Sequence, residues 1–144
     1  MLDKLRAEAL ALIAATPDCT LSTSGPAGVQ GSVVTCVMRD ACAYVLVPST
    51  ADHLFNLEYD TEVVLTTALW QLRGAALVIG GADGLRGTIP PEISALARTE
   101  GYTVVEVFPL RMHLEAAGPR RYRTTIDFDV PAHLTASALG AAVS

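Results

Sequence analysis

Hydrophobic positions recur along this chain in two periods, and the changeovers between them mark out its elements. Leu2, Leu5, Ala9, Leu12 and Ile13 repeat at helical spacing until Pro17. This predicts an amphipathic helix over residues 3–15, with Asp3 as its N-cap. From Thr20 the period shortens to two. Thr20–Ser24 alternates, Gly25-Pro26-Ala27-Gly28 signals a turn, and Val29–Met38 reads as a long strand. Arg39-Asp40 then turns the chain back into Cys42–Val47. Three strands joined by tight turns predict an antiparallel meander. Pro48 closes the third strand. Ser49 or Thr50 is expected to cap a short helix carrying Leu54 and Leu57, and the β-branched run Val63–Thr67 is the next strand.

The second half continues in the same way. Trp70–Ile79 is a strand that runs into loop residues Gly80, Gly81, Asp83 and Gly84. Pro90-Pro91-Glu92 opens a helix to about Thr99, with proline at the first turn, where its missing N–H is not needed. Tyr102–Phe108 alternates, Pro109-Leu110 is read as an interruption, and Arg111–Leu114 resumes the strand. Arg120–Phe128 is the last strand. The Ala-, Ser- and Thr-rich stretch 131–144 is expected to be loosely held, after a single domain over 1–130. Six or seven strands, two or three short helices and no βαβ alternation predict a mainly β fold. The expected form is a closed or nearly closed antiparallel barrel, since closure removes exposed strand edges.

Composition narrows the function classes. At 144 residues and 51% hydrophobic, the chain supports one core. Its net charge is −5 and Lys4 is its single lysine, which argues against a nucleic-acid partner. The charged, helical start is unlike a signal peptide, and no apolar run approaches the roughly 20 residues of a membrane-spanning helix. Cys19, Cys36 and Cys42 are odd in number and lack metal-ligand spacing. They read as free thiols packed as small hydrophobes in a cytoplasmic protein. No Ser-His-Asp order, metal cluster or dinucleotide-binding glycine pattern is present.

The segment around the short helix carries a family likeness. It reads Ser49, Thr50, His53, Asn56-Leu57, an acidic turn at Tyr59-Asp60, then Val63–Leu65. Together with Trp70-Gln71-Leu72-Arg73-Gly74 and the run Val107–Met112, this order resembles the FMN-binding split barrel of the pyridoxamine 5′-phosphate oxidase-like superfamily. The resemblance spans residues 3–128. It implies an antiparallel split barrel of Greek-key type and a homodimer with the cofactor groove at its interface. It also implies FMN as cofactor and flavin-dependent oxidoreduction of a small-molecule substrate. By the same resemblance Ser49, Thr50 and His53 fall at the cofactor phosphate, with Asn56 beside them. The backbone of Ser32, Val33, Val34 and Thr35 falls along the flavin ring, and Gln71 falls where an amide reaches ring or ribityl oxygens.

This sequence departs from the family pattern where cations are expected. The second strand offers Val33, Val34, Thr35 and Cys36, and the helix offers only His53, whose reference pKa is about 6.5. The alternatives are therefore a cofactor-free binding module, or a barrel taking a deazaflavin or haem. Each residue also has a plainer role. Ser49 and Thr50 suit a helix cap, His53 a helix surface, Gln71 a strand edge, Trp70 the core or an interface, and His113 a satisfied structural histidine. Arg120, Arg121 and Arg123 suit a solvated hairpin face or an anion contact.

Overall fold

A computed structural model of the chain describes residues 2–80, 89–114 and 124–128. The elements follow in the order α1 (Leu2–Ala14), β1 (Asp18–Thr23), β2 (Gln30–Arg39), β3 (Cys42–Pro48), α2 (Asp52–Leu57), β4 (Glu62–Thr66), β5 (Trp70–Gly80), α3 (Pro91–Glu100), β6 (Tyr102–Leu114) and β7 (Thr124–Asp127). Because α1 begins at Leu2, Asp3 lies inside the first turn and is not its cap. The loop residues 81–84, Arg120, Arg121 and Arg123, and the tail 131–144 fall outside the described residues.

All pairings are antiparallel. The sheet runs β3-β2-β1-β4-β5-β6-β7, and a further ladder between β3 and β6 closes its first six strands into a barrel. Inward side chains of every barrel strand form the core, among them Leu21, Val34, Val45, Val63, Leu65, Trp70, Leu72, Val105 and Val107, with Ala9 and Ile13 of α1 packed against one side. β1 and β4 alternate buried and less buried positions, with one face on the core, whereas β3 is buried on both faces because Tyr44 and Leu46 pack with Ile93 and Ala97 of α3 on the outside.

The expected break at Pro109 does not occur: β6 runs unbroken for 13 residues. One edge of β6 pairs with β3 as far as Val107 and with β7 from Arg111 onward, so Pro109 sits where the partner changes. On the other edge a register shift lies between Arg73 and Gly74, with Gly74 opposite Pro109 and Arg73 opposite Arg111. A bulge of this kind lets a strand absorb a residue that has no N–H to give. Gly74 is required there, since a Cβ would stand 2.6 Å from Val107 Cγ1 and 2.8 Å from the Phe108 carbonyl oxygen.

The barrel is split between β2 and β3. Their ladder runs only from Arg39↔Cys42 to Cys36↔Val45. Beyond it β3 leaves to follow β6 up to Pro48↔Tyr102, while β2 stays with β1 down to Gln30↔Thr23. The chain then crosses the mouth of the split as α2.

Candidate functional site

The residues around the split are set by what each strand edge can pair with. The Cys36 N–H donates to the Pro17 carbonyl (2.8 Å), so the backbones of Cys36, Val34 and Ser32 face β1. Alternation turns the N–H and C=O of Val33 the other way, toward the split, where no ladder partner stands among the described residues. The Val33 side chain is 75% exposed, whereas Val34 points into the core. Thr35 is half-buried next to the point where the ladder resumes.

At the mouth, α2 is held by a buried polar network. His53 is only 2% exposed and Asn56 is fully buried. Asn56 accepts the Ala27 N–H at Oδ1 (2.9 Å), and its Nδ2 donates to the Gly28 carbonyl (2.9 Å) and to Thr23 Oγ1 (3.1 Å). Thr23 Oγ1 lies 2.8 Å from His53 Nδ1, and His53 Nε2 lies 3.0 Å from Ser32 Oγ. The network ties the tip of the β1–β2 hairpin to α2. Gly25 lets the hairpin close over it, because a Cβ there would meet Asn56 Oδ1 at 2.8 Å. Burial pulls the His53 imidazole below its usual range, against a weaker opposing pull from Asp52, so at neutral pH it is uncharged.

The helix cap predicted at Ser49 or Thr50 is not formed. The N-cap of α2 is Ala51, with no side-chain cap bond. The Ser49 N–H donates to the Gly101 carbonyl (3.1 Å) and its hydroxyl is paired with Thr103 Oγ1 (2.9 Å), which extends the β3–β6 ladder by one residue. That ladder claims Ser49 before the helix can. Thr50 is exposed beside it.

The structure thus gathers Ser32, His53 and Asn56 into one network, with Val33 and Thr35 on the adjoining edge and Thr50 nearby. Gln71 stands apart. It belongs to a transverse row on the outer face of the sheet, Val33–Thr20–Thr66–Gln71–His113–Thr125, in which successive residues are directly opposite one another. Three strand spacings, about 14 Å, separate Gln71 from Val33. In the adjacent row Arg73 faces Arg111; Glu62 lies 3.4 Å from the first, and Asp127 accepts from the second at 2.7 Å. That hydrogen bond, helped by the nearby arginines, lowers the Asp127 pKa. His113 is half-buried on the outer face, with Nδ1 at 2.9 Å from Thr125 Oγ1. Trp70 is wholly buried in the core, where its Nε1 has no partner among the described residues.

Thr23 was missed by sequence reasoning, although it holds the network together. A threonine at a strand end carries no signal of its own; only the fold brings it to a helix 30 residues away. The three cysteines are free thiols, and the hydrogen bond that Cys19 shares with Cys36 lowers Cys36. Burial pushes the Cys42 thiol up to about 11, with Glu106 and Asp40 adding to it, and the hydrogen bond to Cys36 together with burial raises Cys19.

No family model and no curated protein matches the chain. Solved structures do. A protein from Clostridium acetobutylicum, related to general stress protein 26 of B. subtilis and described as of the pyridoxinephosphate oxidase family, superposes with a TM-score of 0.67. It is 11% identical over 88% of this chain and 96% of its own. A heme binding protein from Mycobacterium smegmatis gives 0.57 at 22% identity, over 83% of this chain and 57% of its own. An F420 reductase gives 0.51 at 12% identity, over 70% and 93%. At these identities the likeness establishes the fold alone: the chain is a split barrel, the architecture of the pyridoxamine 5′-phosphate oxidase-like proteins.

Proposed function

We propose that the split between β2 and β3 receives the ring of a flavin, and that the protein is a flavin-dependent oxidoreductase acting on a small molecule, as a cytoplasmic homodimer. The observation that carries this reading is the open backbone edge at Val33 beside an exposed apolar side chain. The pyrimidine edge of a flavin alternates carbonyl acceptors with an N–H donor, which is what a strand edge complements. A bound flavin supplies hydride chemistry by itself, so the protein need only bind, orient and shield the ring. Val33 does the first through its N–H and C=O, and the α2 network keeps its neighbour Ser32 rigid.

The residues fit the ring and do not fit a phosphate. His53 is neutral, buried and bonded at both nitrogens, and Ser49 is engaged with Thr103. No lysine or arginine stands on α2 or on residues 30–36 of β2. On α2 and this part of β2 a dianionic phosphate would therefore find hydroxyls and no fixed cation. The same geometry disfavours haem ligation by His53, which would have to give up a buried hydrogen bond.

The test is a fluorescence-quenching titration of the purified protein with FMN and with riboflavin. Binding of both, with dissociation constants within about threefold of each other, is the expected outcome. A preference for FMN of about a hundredfold would mean that a cation from elsewhere completes a phosphate site. Failure of both to bind below about millimolar concentration overturns the flavin reading and leaves the cofactor-free module, which the missing cation favours. A deazaflavin titrated in parallel separates that ligand from flavin, because it offers the same ring edge with a different redox centre.

A further inference from the structure

We infer that Asn56, Thr23 and His53 form a directed relay that fixes the Ser32 hydroxyl as an outward hydrogen-bond donor, so that the ligand of the split places an acceptor oxygen at Ser32. The direction follows from the backbone. The Ala27 N–H can only donate and the Gly28 carbonyl can only accept, so the Asn56 amide has one orientation, Oδ1 toward Ala27 and Nδ2 toward Gly28. Its other N–H is then aimed at Thr23 Oγ1, which must accept. Thr23 is 3% exposed, and among the described residues the acceptor paired with its hydroxyl hydrogen is His53 Nδ1, at 2.8 Å. His53 therefore carries its proton on Nε2 and donates it to Ser32 Oγ at 3.0 Å. Ser32 accepts, and its hydroxyl hydrogen is left to point away from His53, at an exposed position next to the open edge of β2.

The opposite tautomer fails on the same count. With the proton on Nδ1, Thr23 Oγ1 would face two donors, and its own hydrogen would be buried with no acceptor among the described residues. Ser32 would then spend its hydrogen on Nε2 and meet the ligand as an acceptor. The tautomer of a histidine that touches no ligand thus sets which kind of atom the split accepts. His53 and Thr23 are positioning residues, and Ser32 makes the contact. The ligand part of this inference rests on the flavin reading above, where the acceptor is a ring carbonyl oxygen; the relay does not depend on it.

The experiment has two arms. Nitrogen-15 NMR of the histidines in the ligand-free protein reads the tautomer directly. For His53 the expected result is a pyridine-like Nδ1 and a pyrrole-like Nε2. Thr23→Val should abolish that preference and Thr23→Ser should restore it, whereas a pyrrole-like Nδ1 in the wild type overturns the relay. In the second arm FMN and riboflavin are titrated against the wild type, Ser32→Ala and Thr23→Val. Ser32→Ala should weaken both about tenfold without changing the tautomer, and Thr23→Val should weaken both with Ser32 intact. A loss confined to FMN supports the donor and assigns it to the phosphate oxygen. Unchanged affinity in Ser32→Ala overturns the donor role. A wild type indifferent to both flavins, yet with the expected tautomer, upholds the relay and overturns the flavin reading instead.

Discussion

Replacing Asn56 by alanine should loosen the mouth of the barrel more than its place on a six-residue helix suggests. The side chain is fully buried and makes three hydrogen bonds, each worth about 1 kcal/mol net when both partners can otherwise be solvated. Ala27 and Gly28 lie near the surface, so water can replace Asn56 there and reduce their share. Thr23 is buried, and its bond is lost without replacement. Removing the amide also opens a gap beneath Gly25, whose backbone closes directly against it. Together these put the loss at about 2–3 kcal/mol, a large part of the 5–15 kcal/mol usual for a domain. Asn56→Asp should lose at least as much. It keeps the Ala27 bond but turns an oxygen toward the Gly28 carbonyl and buries a charge. Urea unfolding followed by the fluorescence of Trp70, the single and wholly buried tryptophan, measures both variants. A loss below about 1 kcal/mol for Asn56→Ala, with an unchanged denaturant slope, would refute the view that this network holds the hairpin to α2.

The His53 network should also make stability depend on pH. Because burial lowers the folded-state pKa, the unfolded chain binds the proton first. The contribution is therefore complete above the unfolded value of about 6.5 and is lost as pH falls below it toward the folded value. Urea midpoints at descending pH should show this slope in the wild type and lose it in His53→Gln; parallel curves would contradict it. In the β2–β3 turn, Asp40 and Ala41 both have positive φ, 50° and 65°, the geometry of a primed two-residue hairpin loop. An alanine there is strained, so Ala41→Gly should stabilise the protein by about 1 kcal/mol, read as a higher urea midpoint. A lower midpoint would mean that glycine's extra freedom in the unfolded chain outweighs the relieved strain.

Much of the architecture was legible in the alternation of the chain. The helix ending before Pro17, the meander through Gly25–Gly28 and Asp40, and the strands on either side of α2 all lie where local pattern puts them, within a few residues. These elements are set by neighbours close in sequence, through periodicity, turn residues and the missing N–H of proline. The same locality explains the errors. Pro109 looks like a strand end until β5 supplies a bulge and β6 exchanges β3 for β7 along one edge. Ser49 looks like a helix cap until Gly101 and Thr103, more than 50 residues away, claim its N–H and hydroxyl.

The candidate site divides along that line. The family resemblance named Ser32, Val33, His53 and Asn56, and the fold sets His53 against Ser32 and Asn56 against Thr23, with Val33 next to Ser32. What each does there was beyond the sequence. An exposed histidine near a phosphate and a buried neutral histidine between two hydroxyls are written with the same letter. Only the closure of the barrel, which lays the β1–β2 hairpin over α2, buries His53, aims Thr23 at it and leaves the edge of Val33 open. The sequence by itself determined the elements and the mainly β class, because those depend on contacts a few residues apart. The tertiary structure alone decided charge, tautomer and exposure at the split, because those depend on groups that meet across 21 to 33 residues of chain.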